Sequence, residues 1–177
     1  MRLPTVVDAF DGLVDRLFEP LRGRRSTDRV AYVASELADY SVGWHLLNLA
    51  VAVIRPGREA HAVRMAVTLG VESALVNGAI KPLFKRERPD GWEDVATLQV
   101  RRPRTASFPS GHASSGAVAA ILLSNAAPTL RPVWWAAAGV VAGSRIYTRM
   151  HHASDVVAGA AVGTIIGVLA KRLVPLR

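Results

Sequence analysis

Val156–Ala170 reads VVAGAAVGTIIGVLA, a run with no charged side chain and no polar face at helical spacing. A helix on the surface of a soluble protein alternates an apolar stripe with a polar one, and this run does not. Four more segments are nearly free of Asp, Glu, Lys and Arg: Tyr40–Ile54, Met65–Ile80 (interrupted by Glu72), Thr105–Leu130 and Pro132–Ser144. A bilayer core takes about 20 apolar helical residues. Flanking residues with charged ends extend the runs to helices near 28–54, 59–81, 112–127, 132–148 and 154–172. Ala, Gly and Val dominate them, and small residues let helix backbones pack closely. The reading predicts an all-α, multi-pass transmembrane bundle of about five spanning helices. It forms a single domain over residues 1–177. A tightly packed soluble bundle is the rival reading, and the missing polar faces argue against it.

The rest of the composition fits. The 177 residues are 50% hydrophobic and 20% charged, with a formal charge of +8. The mean hydropathy is +0.22 and the isoelectric point about 11. That charge would point to nucleic acid or an anionic membrane surface. Positive hydropathy beside it means that the charges are segregated, which selects the membrane and leaves no nucleic-acid role. The chain has no cysteine, which excludes disulfide frameworks, zinc knuckles, iron–sulfur clusters and thiol nucleophiles.

No cleavable leader is expected at the N-terminus. Val6, Val7, Phe10, Leu13, Val14, Leu17, Phe18 and Leu21 instead form one helical stripe, with Asp8, Asp11, Asp15 and Arg16 off it. This predicts an amphipathic helix at the membrane interface that ends at the basic cluster Arg22–Arg25. Docking on the protein's own surface is the alternative. The longest polar connection, about 82–108, holds Pro89, Asp90, Gly91, Pro103 and the basic Arg101–Arg104.

Three charged or polar stretches interrupt the apolar runs. Lys81-Pro-Leu-Phe-Lys-Arg-Glu-Arg88-Pro89 closes the second helix and Pro109-Ser110-Gly111-His112 opens the third. Ser144-Arg145 through His151-His152-Ala-Ser-Asp155 joins the fourth to the fifth. Lys and Arg supply point charge and forked donors for phosphate oxygens. A helix starting at Ser110-Gly111 offers free N–H groups and a positive dipole end to an anion. His151 and Asp155 lie one helical turn apart, so the carboxylate can hold one imidazole nitrogen and leave the other for substrate.

These stretches match Lys-x6-Arg-Pro, Pro-Ser-Gly-His and Ser-Arg-x5-His-x3-Asp at every fixed position, in order, over residues 81–155. The chain therefore resembles the type 2 phosphatidic acid phosphatases, the lipid phosphate phosphatase superfamily, in its small bacterial membrane branch. The resemblance implies a phosphatase without metal or other cofactor that works through a phosphohistidine. It makes His151 the nucleophile, Asp155 its orienting carboxylate, and His112 the acid and then the base. Lys81, Arg88, Ser110, Gly111 and Arg145 would bind the phosphate. A transition-state donor of this kind is typically worth about 3 kcal/mol. The implied partner is a lipid phosphate in the membrane. A polyprenyl-linked sugar phosphate of arabinan-building bacteria comes first, then undecaprenyl diphosphate, phosphatidylglycerophosphate and phosphatidate.

Other residues carry weaker expectations. His152 competes with His151 but breaks the spacing. His45 and His61 read as packing residues, and Lys85, Arg86 and Arg149 as headgroup contacts or solvated charges. Glu72, deep in an apolar run, is expected to hydrogen-bond a neighbouring helix. Gly159, Gly163 and Gly167 form a flat line, expected to pack inside the bundle against the fourth helix; the alternative is a dimer surface, and oligomeric state stays open. If all five segments span, Lys81, His112, Arg145, His151 and Asp155 share one membrane face with the N-terminus. Basic residues are in excess there even without Lys81, Arg88 and Arg145, which places the site on the cytoplasmic face of a cell membrane. Vanadium haloperoxidases share the same anion pocket but are large and soluble. A basic membrane scaffold without activity would need all the motif residues to coincide by chance.

Overall fold

A computed structural model of the chain describes residues 5–91 and 105–176. Arg101–Arg104 lies outside the described residues. Among those described, all regular structure is helical: α1 (Val6–Phe18), α2 (Arg25–Ala38), α3 (Val42–Ile54), α4 (Glu59–Ser73), α5 (Gly111–Ala126), α6 (Arg131–Tyr147) and α7 (Ala153–Leu173). Three helical stretches are long and apolar enough to cross a membrane: Arg25–Ile54, Glu59–Leu83 and Ala153–Leu173. At 1.5 Å per residue α7 is about 31 Å long, enough for a bilayer core. α5 and α6, with 16 and 17 residues, are shorter.

α5 is the central post. Ala113, Ala117, Val118, Ala119, Ala120, Leu122, Leu123 and Ala126 are buried around its whole circumference. A helix enclosed on all sides needs no polar face. The outer helices invert the soluble pattern: Leu46, Leu49 and Val53 on α3, Val63 and Val67 on α4, and Val157, Ile165 and Leu169 on α7 are exposed. So much outward apolar surface is what a lipid-facing bundle presents. At the end away from the motifs, buried Arg64 donates to the Val174 carbonyl (2.8 Å) and to Asn125 Oδ1 (2.6 Å), tying the C-terminus to α4 and α5.

Two expectations change. The helix expected over 28–54 is broken after Ala38: Tyr40 and Ser41 sit in the left-handed region, with φ of 51° and 59°. Each such non-glycine residue costs roughly 1–3 kcal/mol and persists only where its surroundings enforce it. The second concerns the glycine line, which packs inside the bundle as expected but on α5 and not on α6. A Cβ on Gly159 would lie 2.2 Å from the Ser110 carbonyl oxygen, and one on Gly163 2.1 Å from that of Ser114. Only hydrogen fits there. α4 also departs from a regular helix at its end, running through a π-helical stretch at Ala74–Ile80 into a 3₁₀ turn at Lys81–Leu83.

Gly163→Ala should therefore destabilise the protein by roughly 3 kcal/mol or more, because backbone must move to admit the methyl group. Gly139→Ala, whose Cβ meets nothing within 4 Å, should be neutral or gain up to about 1 kcal/mol. Thermal melts of both variants in detergent check the contrast.

Candidate active site

The helix ends on the α1 side enclose a cavity of about 1000 Å³ whose walls carry Lys81, Arg88, Gly111, His112, Arg145 and His151. Three elements converge because their ends are stitched together. The Ser110 amide donates to the Asp155 carbonyl (3.0 Å), locking the start of α5 to the start of α7. The Arg145 carbonyl accepts from the amides of Met150 and His151, both at 3.0 Å, which folds the loop after α6 back on itself. Arg88 Nη1 donates to the Met150 carbonyl (2.5 Å), drawing the segment after α4 into the same place.

Within this frame His151 is buried, and its Nδ1 stands 3.7 Å from Asp155 Oδ2. That exceeds hydrogen-bond length, and Nδ1 has no hydrogen-bond partner. The separation still sets which ring edge faces the carboxylate, and catalytic hydrogen bonds are often this long in the absence of substrate. Burial is the main cause that pushes the His151 imidazole down to about 3, with the cations Arg145, Arg88 and Lys81 acting in the same direction. The ring is thus neutral at physiological pH and keeps the lone pair a nucleophile needs. Asp155 is fully buried, and its Oδ2 also accepts from the His152 amide (2.9 Å). His152 therefore contributes a backbone donor at the start of α7, and the side chain beside Asp155 Oδ2 is that of His151.

The cations fall into two groups. Lys81 Nζ donates to Asn77 Oδ1 (3.3 Å) and Arg145 Nη1 to Ser35 Oγ, both neutral oxygens, and the contacts of Arg88 include the carbonyl oxygens of Met150 and Thr105. Arg86 and Arg149, expected as headgroup contacts or solvated charges, are paired with carboxylates. Arg149 Nη2 lies 2.9 Å from Glu19 Oε2, and Arg86 bridges Asp155 and Asp11. Lys85 is exposed. Ser110 lies behind the cavity, fully buried, its Oγ accepting from the Ala113 amide (3.4 Å) as the N-cap of α5. Gly111 and His112 follow at the first turn, where unpaired N–H groups face an anion favourably.

Sequence reasoning missed several residues here. Asp39, at the break between α2 and α3, brings Oδ1 to 2.9 Å from His112 Nε2. A lone carboxylate just before an apolar run was its only signal. His45 is exposed at the same cavity, beside Tyr40, and is not a packing residue. His61 is buried as expected, with Nε2 3.4 Å from Arg58 Nη1. Glu72 is 2% exposed and lines the cavity, but its Oε1 has no hydrogen-bond partner, so the expected bond to a neighbouring helix is not made through that atom.

An imidazole pair and buried cations grouped around a helix N-terminus, at the end of a lipid-facing bundle, define a phosphate-handling membrane site. Residues 61–177 match the PAP2 superfamily, and the chain belongs to it. It is thus a phosphatase of a membrane lipid phosphatase family. It is 33% identical over 135 residues to decaprenylphosphoryl-5-phosphoribose phosphatase of Mycobacterium tuberculosis, covering 76% of this chain and 73% of that one. The enzyme of that name from Mycolicibacterium smegmatis is 33% identical over 142 residues, 78% and 74% of the two chains. The lipid A 4'-phosphatase of Porphyromonas gingivalis is 30% identical over 136 residues, 70% and 58%. In fold, the chain matches a transmembrane PAP2-type phosphatidylglycerolphosphate phosphatase from Bacillus subtilis, with TM-score 0.53 and 19% identity over 98% and 100% of the chains.

The depressed His151 makes a stability prediction. An unfolded imidazole titrates near 6.5, so the folded state is penalised as pH falls below that value and on down toward 3. At pH 5 the penalty is about 2 kcal/mol relative to pH 8. The wild-type melting temperature should fall over that range by more than that of His151→Gln. Equal falls would contradict a neutral buried His151.

Proposed function

We propose that this chain hydrolyses the phosphomonoester of a polyprenyl-linked sugar phosphate, decaprenylphosphoryl-5-phosphoribose, through a phosphohistidine on His151. The observation that carries the chemistry is the grouping of His151 and His112 on the wall of one cavity with Lys81, Arg88 and Arg145. The neutral His151 imidazole attacks phosphorus through the nitrogen away from Asp155. The phosphorus–oxygen bond to the sugar breaks, and His112 gives its proton to the departing oxygen. Asp155 balances the charge left on the phosphorylated ring. His112 then takes a proton from water, whose oxygen attacks phosphorus. The phosphorus–nitrogen bond breaks, inorganic phosphate leaves, and His151 is neutral again. Lys81, Arg88, Arg145 and the Gly111 N–H hold the equatorial oxygens as charge builds, with Ser110 capping the helix that presents that N–H.

The substrate choice rests on the 33% identity to enzymes of that name and is supported by the cavity walls. Glu72, Ser73, Asn77, His45 and Tyr40 line the same cavity. Hydroxyl and carboxylate groups suit a hydroxylated headgroup better than a diacylglycerol. Glu72 in particular brings a carboxylate to the cavity wall, the kind of group that accepts from a sugar hydroxyl. The excess of basic residues on the site's side of the bundle supports a cytoplasmic-face reaction in the cell membrane.

Phosphate release by purified protein in detergent tests this reading. Decaprenylphosphoryl-5-phosphoribose should be preferred over phosphatidate and undecaprenyl diphosphate by at least about tenfold in kcat/KM, and turnover should survive EDTA because the cradle is built of Lys, Arg and backbone N–H. Glu72→Leu should erase most of that preference while leaving phosphatidate turnover within about twofold, since lost headgroup hydrogen bonds act on discrimination. Preference for phosphatidate, or activity lost in EDTA and restored by magnesium, would contradict the proposal.

A further inference from the structure

Arg86 is not a fixed position of the motif spacing, yet it is the side chain most directly joined to the carboxylate behind the nucleophile. Its Nη1 donates to Asp155 Oδ1 (2.7 Å) and to Ser154 Oγ (2.7 Å), and its Nη2 to Asp11 Oδ2 (2.6 Å). Asp11 accepts in addition from the Ser154 amide through Oδ1 (2.7 Å) and from Ser154 Oγ through Oδ2 (2.8 Å). Asp155 Oδ2, the oxygen left over, is the one that stands 3.7 Å from His151 Nδ1. The result is a ladder, Asp11–Arg86–Asp155, that runs from α1 to the carboxylate facing His151 across 3.7 Å. Asp11 is the one buried residue of α1. Val6, Phe10, Leu13 and Leu17, on the opposite face of the helix, remain exposed.

We propose that Arg86 and Asp11 are positioning residues for the reaction, and that α1 belongs to the catalytic apparatus through them. Two physical points support this. The rigid guanidinium spans two carboxylates, Nη1 on Asp155 Oδ1 and Nη2 on Asp11 Oδ2, and so fixes one relative to the other, which the point charge of a lysine cannot do. Asp155 must also stay ionised and still while His151 gains and loses a phosphoryl group, and Arg86 supplies both charge and geometry from outside the phosphate cavity. Arg86 does not line that cavity, so its effect reaches the substrate only through Asp155 and His151.

The inference rests on the phosphohistidine reading above, and its test separates the two. The full chain, purified in detergent, is assayed with decaprenylphosphoryl-5-phosphoribose or whichever lipid phosphate it turns over best, with inorganic phosphate as product inhibitor. Arg86→Gln should lower kcat on the order of 100-fold, the scale of a small misplacement of reacting groups, with KM and the inhibition constant for phosphate within about twofold. Arg86→Lys should recover part of the loss. Asp11→Asn should lower kcat about tenfold, and in the Arg86→Gln background should cost clearly less than that, since the link through Arg86 is already cut and only the contacts of Asp11 to Ser154 remain. A raised KM with unchanged kcat would make Arg86 a headgroup contact and overturn the proposal. So would additive losses, or an unchanged kcat in Asp11→Asn, which decides the matter even if Arg86→Gln fails to fold. Turnover in His151→Ala would overturn the phosphohistidine reading itself. Its loss there alongside normal Arg86→Gln would overturn the ladder alone.

Discussion

The approach of α7 to α5 is the constraint on which the site depends. The two helices meet so closely that hydrogen is the only side chain Gly159 and Gly163 can carry against the Ser110 and Ser114 carbonyls. At the end of the same seam the Ser110 amide donates to the Asp155 carbonyl. The two N-termini are thereby fixed side by side, and each brings a histidine: His112 in the first turn of α5 and His151 just before α7. This places His112 and His151 on the wall of one cavity, with Asp155 buried behind His151. The backbone contact sets the register, and the side chains follow from it.

Charge is organised around that seam by a simple division. Lys81 and Arg145, buried at helix ends, hydrogen-bond to neutral oxygens, so their positive charge is left for an anion to meet. Arg22, Arg86 and Arg149 are neutralised by carboxylates of the N-terminal segment and of α7, and they hold the frame together. Burying cations without counter-charges is costly. In a phosphatase that cost is offset each time the phosphate enters, and it becomes binding and transition-state stabilisation.

Much of this was legible in the sequence, because two strong physical signals were present. The missing polar face of Val156–Ala170 announced a lipid-facing helix, and the spacings from Lys81 to Asp155 announced the phosphate chemistry. What stayed hidden depended on tertiary geometry with no local signature. Tyr40 and Ser41 are ordinary residues, and nothing in them foretells left-handed backbone; the break is accompanied by a 2.9 Å approach of Asp39 to His112 that only the folded chain shows. Arg86 sits among Lys85 and Arg88 in a basic run, where position alone cannot tell a solvated charge from one that bridges Asp155 and Asp11. The glycine line fixed a close contact but not its partner, since α5 and α6 are both rich in small residues. Glu72 drew attention through its depth, and only the fold shows that this depth is the cavity wall.

The central claim is that phosphorus passes through His151. Rapid quench of the purified protein with substrate labelled in its phosphate, followed by alkaline denaturation and peptide mass spectrometry, tests it directly. An alkali-stable, acid-labile phosphate is expected on His151, forming and decaying at rates consistent with turnover. Label on His152, or substrate consumed within one turnover with no phosphate ever bound to protein, would contradict it.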